Sequence, residues 1–283
     1  DALFHAEREL VSEPEVLAEM LDTIGATYVE LGELERGESV LTRALQHAGD
    51  EPERLARLRS NLAYAAILRG EHARAEELLA TALVRPAAST PESRATRVLA
   101  LYRQAELLQR LERVPEAVAA LEEARRTAEA LPERYDALRA RVLDQQGRLA
   151  YAARDYATAE ENHRAALSFE ERELPPLHPL RGMTHNALAS ALFDLGRVDE
   201  AEEHWRAALE IFERVLDPGH PDIATVLGNL GLVHLRRRDF AAADELFTRA
   251  LELRRAALGE AHPQVAELLR RRAELELARG ALP

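Results

Sequence analysis

Cysteine is absent from this sequence, which excludes disulfides, thiolate metal sites and thiol nucleophiles. Lysine is absent too: all 37 basic residues are Arg. A phosphate-binding P-loop, a protein-kinase ATP site and a Schiff-base enzyme each need a Lys, so none lies within these 283 residues. Aromatics are scarce, at 5%. No apolar run approaches the roughly 20 residues of a membrane span, and no signal-peptide pattern is visible. Positive charge is in deficit, 37 basic residues against 50 acidic, net −13. That balance argues against nucleic acid or an anionic membrane as partner, since both would repel the chain.

What is present favours helix. Ala, Leu, Glu and Arg dominate, with 47% apolar and 31% charged residues, a foldable composition. The chain begins at Asp1 without an initiator Met, which reads as a processed product or a piece of something longer.

The informative feature is an internal repeat. A small residue recurs at Gly25, Ala63, Ala105, Gly147, Ala189, Gly231 and Ala273; the first step is 38 residues and the next five are 42. Nineteen residues after each of the first six comes an Ala: Ala44, Ala82, Ala124, Ala166, Ala208 and Ala250. Twelve residues after each comes another small residue: Gly37, Ala75, Ala117, Ala159, Ala201 and Ala243. Apolar residues flank these columns at helical spacing, as in Leu21, Ile24 and Tyr28 or Leu227, Leu230 and Leu235. The pattern predicts a helical hairpin repeated six times, with small residues where the two helices approach closely.

Punctuation agrees. Gly32, Gly70 and Gly196 fall between the two helices of a unit, where a left-handed cap is useful. Pro14, Pro52, Pro91, Pro115, Pro179, Pro221 and Pro263 fall at helix starts. Asp50 with Glu53, and Ser12 with Glu15, read as capping boxes. First helices are expected at about 14–31, 52–69, 91–111, 133–153, 179–195, 221–237 and 263–279. Second helices are expected at about 34–48, 71–84, 114–130, 155–173, 198–216 and 239–258. Residues 1–11 read as the tail of a preceding helix or an amino-terminal cap, 12–262 as six repeats, and 263–283 as a capping helix with a short tail.

Leu230-Gly231, Ile24-Gly25 with Tyr28, and Ala201 with Ala208 resemble the tetratricopeptide repeat. The 42-residue period resembles the kinesin-light-chain variant of that family. So does an inter-repeat phrase, Leu174 to His178-Pro179, Leu216 to His220-Pro221 and Leu258 to His262-Pro263. In the middle repeats Arg125 replaces a Leu and Gln146 an apolar residue. The resemblance implies an all-α, right-handed superhelical solenoid of six repeats plus the carboxy-terminal capping helix, needing no cofactor. Val16 to Leu45 also resembles repeat arrays attached to bacterial serine/threonine kinases and signalling ATPases.

In this repeat type the first helices line a concave groove. Counting from the small-residue column selects Arg57, Asn61, Tyr64, Tyr102, Arg103, Arg141, Gln145, Arg148, Tyr151, Asn186, Phe193 and Asn229. Amides can pair with an extended peptide backbone, Arg forks with carboxylates, and aromatic rings offer flat apolar contact. The resemblance assigns backbone-holding roles to Asn61, Asn186 and Asn229. Residues 98–181 are the least acidic stretch, net −2, against −7 before and −4 after. An alternative is that the groove arginines merely pair with neighbours such as Asp144 and Glu106. The family's carboxylate clamp for an extreme C-terminus is not reproduced, because Ser60, Tyr64 and Arg103 stand at its positions.

Other constellations read as structural. The three His-Pro pairs lack a second ligand near each His, so helix starts explain them better than metal does. Glu122-Glu123 and Glu202-Glu203 belong to solvated faces. Arg236-Arg237-Arg238 and Arg270-Arg271-Arg272 read as helix-end charge and capping. No nucleophile–base set stands out, so the expectation is a non-enzymatic, cytoplasmic protein. Its partner would be a neutral to acidic peptide or protein segment bound in the groove. The alternatives are the regulatory arm of a larger signalling enzyme, or a self-assembly module forming homo-oligomers.

Overall fold

The structure is a computed structural model that describes residues 10, 12–84 and 90–280. The expected helix tail at residues 1–11 therefore lies outside the described residues, Leu10 excepted. Among the described residues there are thirteen α-helices and no strand. The first hairpins are α1 (Pro14–Glu30) with α2 (Leu34–His47), α3 (Pro52–Arg69) with α4 (His72–Leu83), and α5 (Pro91–Arg110) with α6 (Val114–Glu129). They are followed by α7 (Asp136–Ala152) with α8 (Tyr156–Glu173), α9 (Pro179–Asp194) with α10 (Val198–Val215), and α11 (Pro221–Arg236) with α12 (Phe240–Leu258). The last helix is α13 (Pro263–Gly280).

Proline sets most of these starts. It occupies the first helical position of six odd-numbered helices, where its missing N–H costs nothing and its φ is already helical. The exception is α7, expected from 133. A 3₁₀ turn, Glu133–Tyr135, precedes it, and the α-helix begins only at Asp136.

The caps differ from expectation. Before α3 the cap is Glu51, not Asp50; its carboxylate accepts from the N–H groups of Glu53 and Arg54 at 3.1 and 3.0 Å. Before α1 the cap is Glu13, which makes no side-chain cap bond, so Ser12 and Glu15 form no box. A capping box does form at Thr90 and Ser93, ahead of α5. A one-residue shift in where the chain turns helical moves the capping role to a neighbour. His178, His220 and His262 cap α9, α11 and α13: each Nδ1 accepts an N–H two residues on at 3.2 Å. The His-Pro phrase is thus a helix-start device in which both residues act.

The small-residue columns are the seams between helices. Ala75, Ala117, Ala159, Ala201 and Ala243 are all fully buried. A methyl on Gly231 would stand 2.5 Å from the Phe247 ring, and one on Gly147 2.6 Å from the His163 imidazole. Between the helices of each hairpin one residue is left-handed. At Gly32, Gly70 and Gly196 this is free, but Glu112, Arg154 and Arg238 hold the same conformation with a side chain, at φ near 60°.

The chain divides into two compact units, residues 1–142 and 143–283, with the boundary inside α7. Within the amino-terminal unit α1 packs on α3 and α3 on α5. Its buried residues include one cluster around Leu17, Leu21, Leu41 and Leu58 and another around Ile67, Leu79 and Leu107. The carboxy-terminal unit has one continuous core holding Leu188, Trp205, Phe212, Leu230, Phe247 and Leu268. There α11 packs on α13.

Candidate functional site

In the amino-terminal unit the selected side chains form a ladder across α1, α3 and α5. Asp22, itself buried, accepts from Arg57 Nε at 2.5 Å and from Asn61 Nδ2 at 2.6 Å. Asn61 Oδ1 in turn accepts from an Arg103 terminal nitrogen at 2.7 Å, and Ser60 Oγ accepts from the same nitrogen at 2.8 Å. The Arg103 guanidinium also lies over the Tyr64 ring, 5.1 Å from its centre. Arg103 and Asn61 are only 8% exposed, so both are spent inside the fold. Burial, with Arg141 nearby, pushes the Arg103 guanidinium down to about 10.

Arg141 is different. It is exposed, lies 5.1 Å over the Tyr102 ring, and pairs with no carboxylate among the described residues. Tyr102 itself is buried. On the same helix Gln145 is buried, and Arg148 is tied to it, donating from Nε to Gln145 Oε1 at 3.0 Å and pairing with Asp144. The expected neighbour pairing thus holds for Arg148 and Asp144. Arg103 and Glu106 make no direct ion pair among the described residues.

The carboxy-terminal unit repeats the ladder across α9, α11 and α13. Asn186 Oδ1 accepts from Trp205 Nε1 at 3.1 Å and from Asn229 Nδ2 at 3.3 Å, and Asn229 Oδ1 accepts from Arg271 at 3.3 Å. Phe193 packs on Trp205, ring centres 5.5 Å apart, and the exposed Arg236 guanidinium lies over the Phe193 ring, 5.1 Å from its centre, while donating to the Phe193 carbonyl at 3.3 Å. Tyr151 donates to Asp194 at 2.7 Å; burial and that carboxylate push its hydroxyl pKa up.

The same unit holds a buried titratable cluster that reading the sequence missed. His163, buried against Gly147, hydrogen-bonds Asp144 through Nδ1 at 3.0 Å. Thr184 donates to Glu170 at 2.9 Å, and burial raises that carboxyl to about 7. The Nδ1 atoms of His185 and His204 are hydrogen-bonded to each other at 2.9 Å. Burial lowers both imidazoles, His185 to about 4. A signal for these pairs did exist. Asp144 with His163, His185 with His204 and Asn186 with Trp205 are each 19 residues apart, the offset separating the two small-residue columns.

Four of the six arginines in the two triplets, Arg237, Arg270, Arg271 and Arg272, are in ion pairs. Arg237 pairs with Asp199 at 2.5 Å, Arg271 with Glu267 at 3.0 Å and Arg272 with Asp244 at 3.1 Å. No helix among the described residues is long and apolar enough to cross a membrane.

A family model described as tetratricopeptide repeat matches residues 180–256 and again 222–283. Residues 180–283 carry tetratricopeptide repeats. Solved structures extend the likeness along the length of the chain. BtubC (BKLC) from P. vanneervenii is 23% identical over 82% of this chain and 92% of its own, with a TM-score of 0.66. The nearly identical TPR-like repeats of a Podosopora anserina chain named for kinesin light chain give 22%, 74% and 99%, with a TM-score of 0.58. A chain of the APC/C hetero-tetramer Cut9-Hcn1 gives 17% over 96% of this chain, TM-score 0.69; this chain spans 45% of its length. At these identities the likeness is one of fold. No curated protein matches in sequence. Tetratricopeptide repeats are a fold that mediates protein–protein interaction.

Proposed function

We propose that this tetratricopeptide-repeat chain is a non-catalytic scaffold whose first-helix faces bind a neutral to acidic segment of a partner protein. The carrying observation is the state of two arginines. In a chain with 50 acidic residues, Arg141 and Arg236 are exposed, lie over the rings of Tyr102 and Phe193, and pair with no carboxylate among the described residues. By contrast Arg74, Arg113 and Arg197, at hairpin turns and second helices, each bind two carboxylates. A guanidinium held over a ring without a carboxylate partner is pre-positioned to fork with an incoming one, at little further entropic cost. The test is a peptide array graded in net charge, with binders confirmed by fluorescence anisotropy. Arg141→Glu and Arg236→Glu should each weaken acidic binders more than tenfold, while Arg148→Glu, whose side chain is already occupied, should do less. Unchanged affinity in the first two variants would sink the assignment.

A further inference from the structure

The two ladders occupy matching places in the repeat and differ at two of them: Asp22 against Asn186 at the start, and Ser60 against Gly228 beside the central Asn. Three positions before the small-residue column the amino-terminal unit has Ser60, whose hydroxyl accepts from Arg103 at 2.8 Å. The carboxy-terminal unit has Gly228 there, and a cavity of about 190 Å³ opens beside it. Its wall includes Arg254 and Arg271. Arg254 is 7% exposed, yet its partners are neutral: it donates to Gln264 Oε1 and Thr225 Oγ1, and no carboxylate among the described residues pairs with it. A guanidinium has five N–H groups, and those two acceptors leave three. Asp222 acts on it only through space, and Arg271 adds a second positive charge nearby. Burying a cation without a counter-ion is costly, so the arrangement is incomplete as it stands.

We infer that this cavity is a binding site for a single carboxylate, held between Arg254 and Arg271 and presented by an acidic side chain of the partner segment. The charge of the lining selects the ligand. Glu267 also lines the cavity, and Arg270 and Arg271 hold its carboxyl down at about 2, so it stays ionised. Two cations and one anion leave one positive charge, which matches a carboxylate better than a phosphate dianion. The set is also distinct from a clamp built on first helices alone, because its buried cation comes from the second helix α12. The source of the carboxylate rests on the scaffold reading; the pocket does not.

The test uses the whole chain labelled at arginine side chains with ¹⁵N. Sodium acetate is titrated against sodium chloride at equal ionic strength, with inorganic phosphate as a third probe. Acetate should shift the Arg254 and Arg271 Nε signals saturably, and chloride should not. Gly228→Ser restores the side chain of the other ladder; its Cβ would meet only movable atoms, Leu268 Cδ2 at 3.1 Å and an Arg271 terminal nitrogen at 3.2 Å. This variant should keep the fold and lose the response. Arg271→Gln should weaken acetate at least tenfold. For any acidic peptide that binds, changing its Glu residues to Gln in turn should cost tenfold at one position in the natural chain and nothing there in Gly228→Ser. No saturable acetate shift, an equal shift in Gly228→Ser, or a stronger response to phosphate would each overturn the pocket. An acetate response with no binding peptide would overturn the partner side chain as its source and the scaffold reading, and leave the carboxylate pocket standing.

Discussion

The two ladders share one wiring. An oxygen on one first helix accepts from an Asn on the next, and that Asn accepts from an Arg on the third: Asp22–Asn61–Arg103 and Asn186–Asn229–Arg271. The first is short and charged at both ends, with steps of 2.6 and 2.7 Å. The second is neutral at its start, with both steps at 3.3 Å. The same geometry therefore serves two purposes. In the first ladder, the closing arginine is buried and held by Ser60 and Asn61. In the second, Arg271 stands beside an open cavity.

That contrast can be broken from either side. The single Trp, Trp205, lies in the carboxy-terminal core, so its fluorescence follows that unit while circular dichroism follows the whole chain. Phe247→Ala removes a fully buried ring from this core. It should cost about 3–5 kcal/mol and move the fluorescence transition in urea first. A fluorescence midpoint within error of the natural chain would show that Phe247 carries no such load.

The titratable cluster gives the next effect, on the order of 2–3 kcal/mol for each group. Glu170 is raised to about 7 in the fold, so the stability it contributes at low pH is lost as pH rises from about 4.5 through 7. His185 is lowered to about 4, so the stability it contributes at neutral pH is lost as pH falls from about 6.5 to 4. Over the shared window the slopes oppose. Glu170→Gln should unmask stability rising with pH, and His185→Gln stability falling with pH, in urea melts followed by Trp205. Parallel profiles for both variants would contradict this.

Asn61→Ala separates Asp22 from Arg103 and leaves the latter buried with less support. A loss of about 2 kcal/mol is expected, visible in circular dichroism, with the Trp205 transition unmoved. A simultaneous shift of both signals would show that the ladder's stabilisation is not confined to its own unit. The smallest effect is a gain: Arg238→Gly relieves a left-handed residue and should stabilise the carboxy-terminal unit by about 1 kcal/mol, raising the fluorescence midpoint. No rise there would mean the Arg238 side chain offsets its own strain.

These residues also show what could be read in advance. Helix bounds were legible because proline, the small columns and the 42-residue period are local signals repeated many times. The capping boxes at Ser12 and Asp50 failed because a cap depends on where one residue turns helical, and Glu51 and Thr90 do that work instead. Asn61, Asn186 and Asn229 lie on first helices and bond to neighbouring first helices, but the depth of Arg103 is not legible in the sequence: Ser60 and Asn61, which enclose it, are more than 40 residues away. Arg254 was passed over because it belongs to a second helix, and the Gly228 cavity that gives it meaning appears only when α11, α12 and α13 are together.

The stacking of α1, α3 and α5 in succession has a consequence for how the amino-terminal unit is made. Nothing a hairpin packs against within its unit lies far ahead of it in synthesis; α3 has α1 and α2 to rest on, and α5 has α3 and α4. A ribosome adding about 5–20 residues per second delivers one 42-residue period in roughly 2–8 s. Helix formation and hairpin docking are far faster than that. The amino-terminal unit can therefore be laid down like courses of brick, each one set before the next arrives.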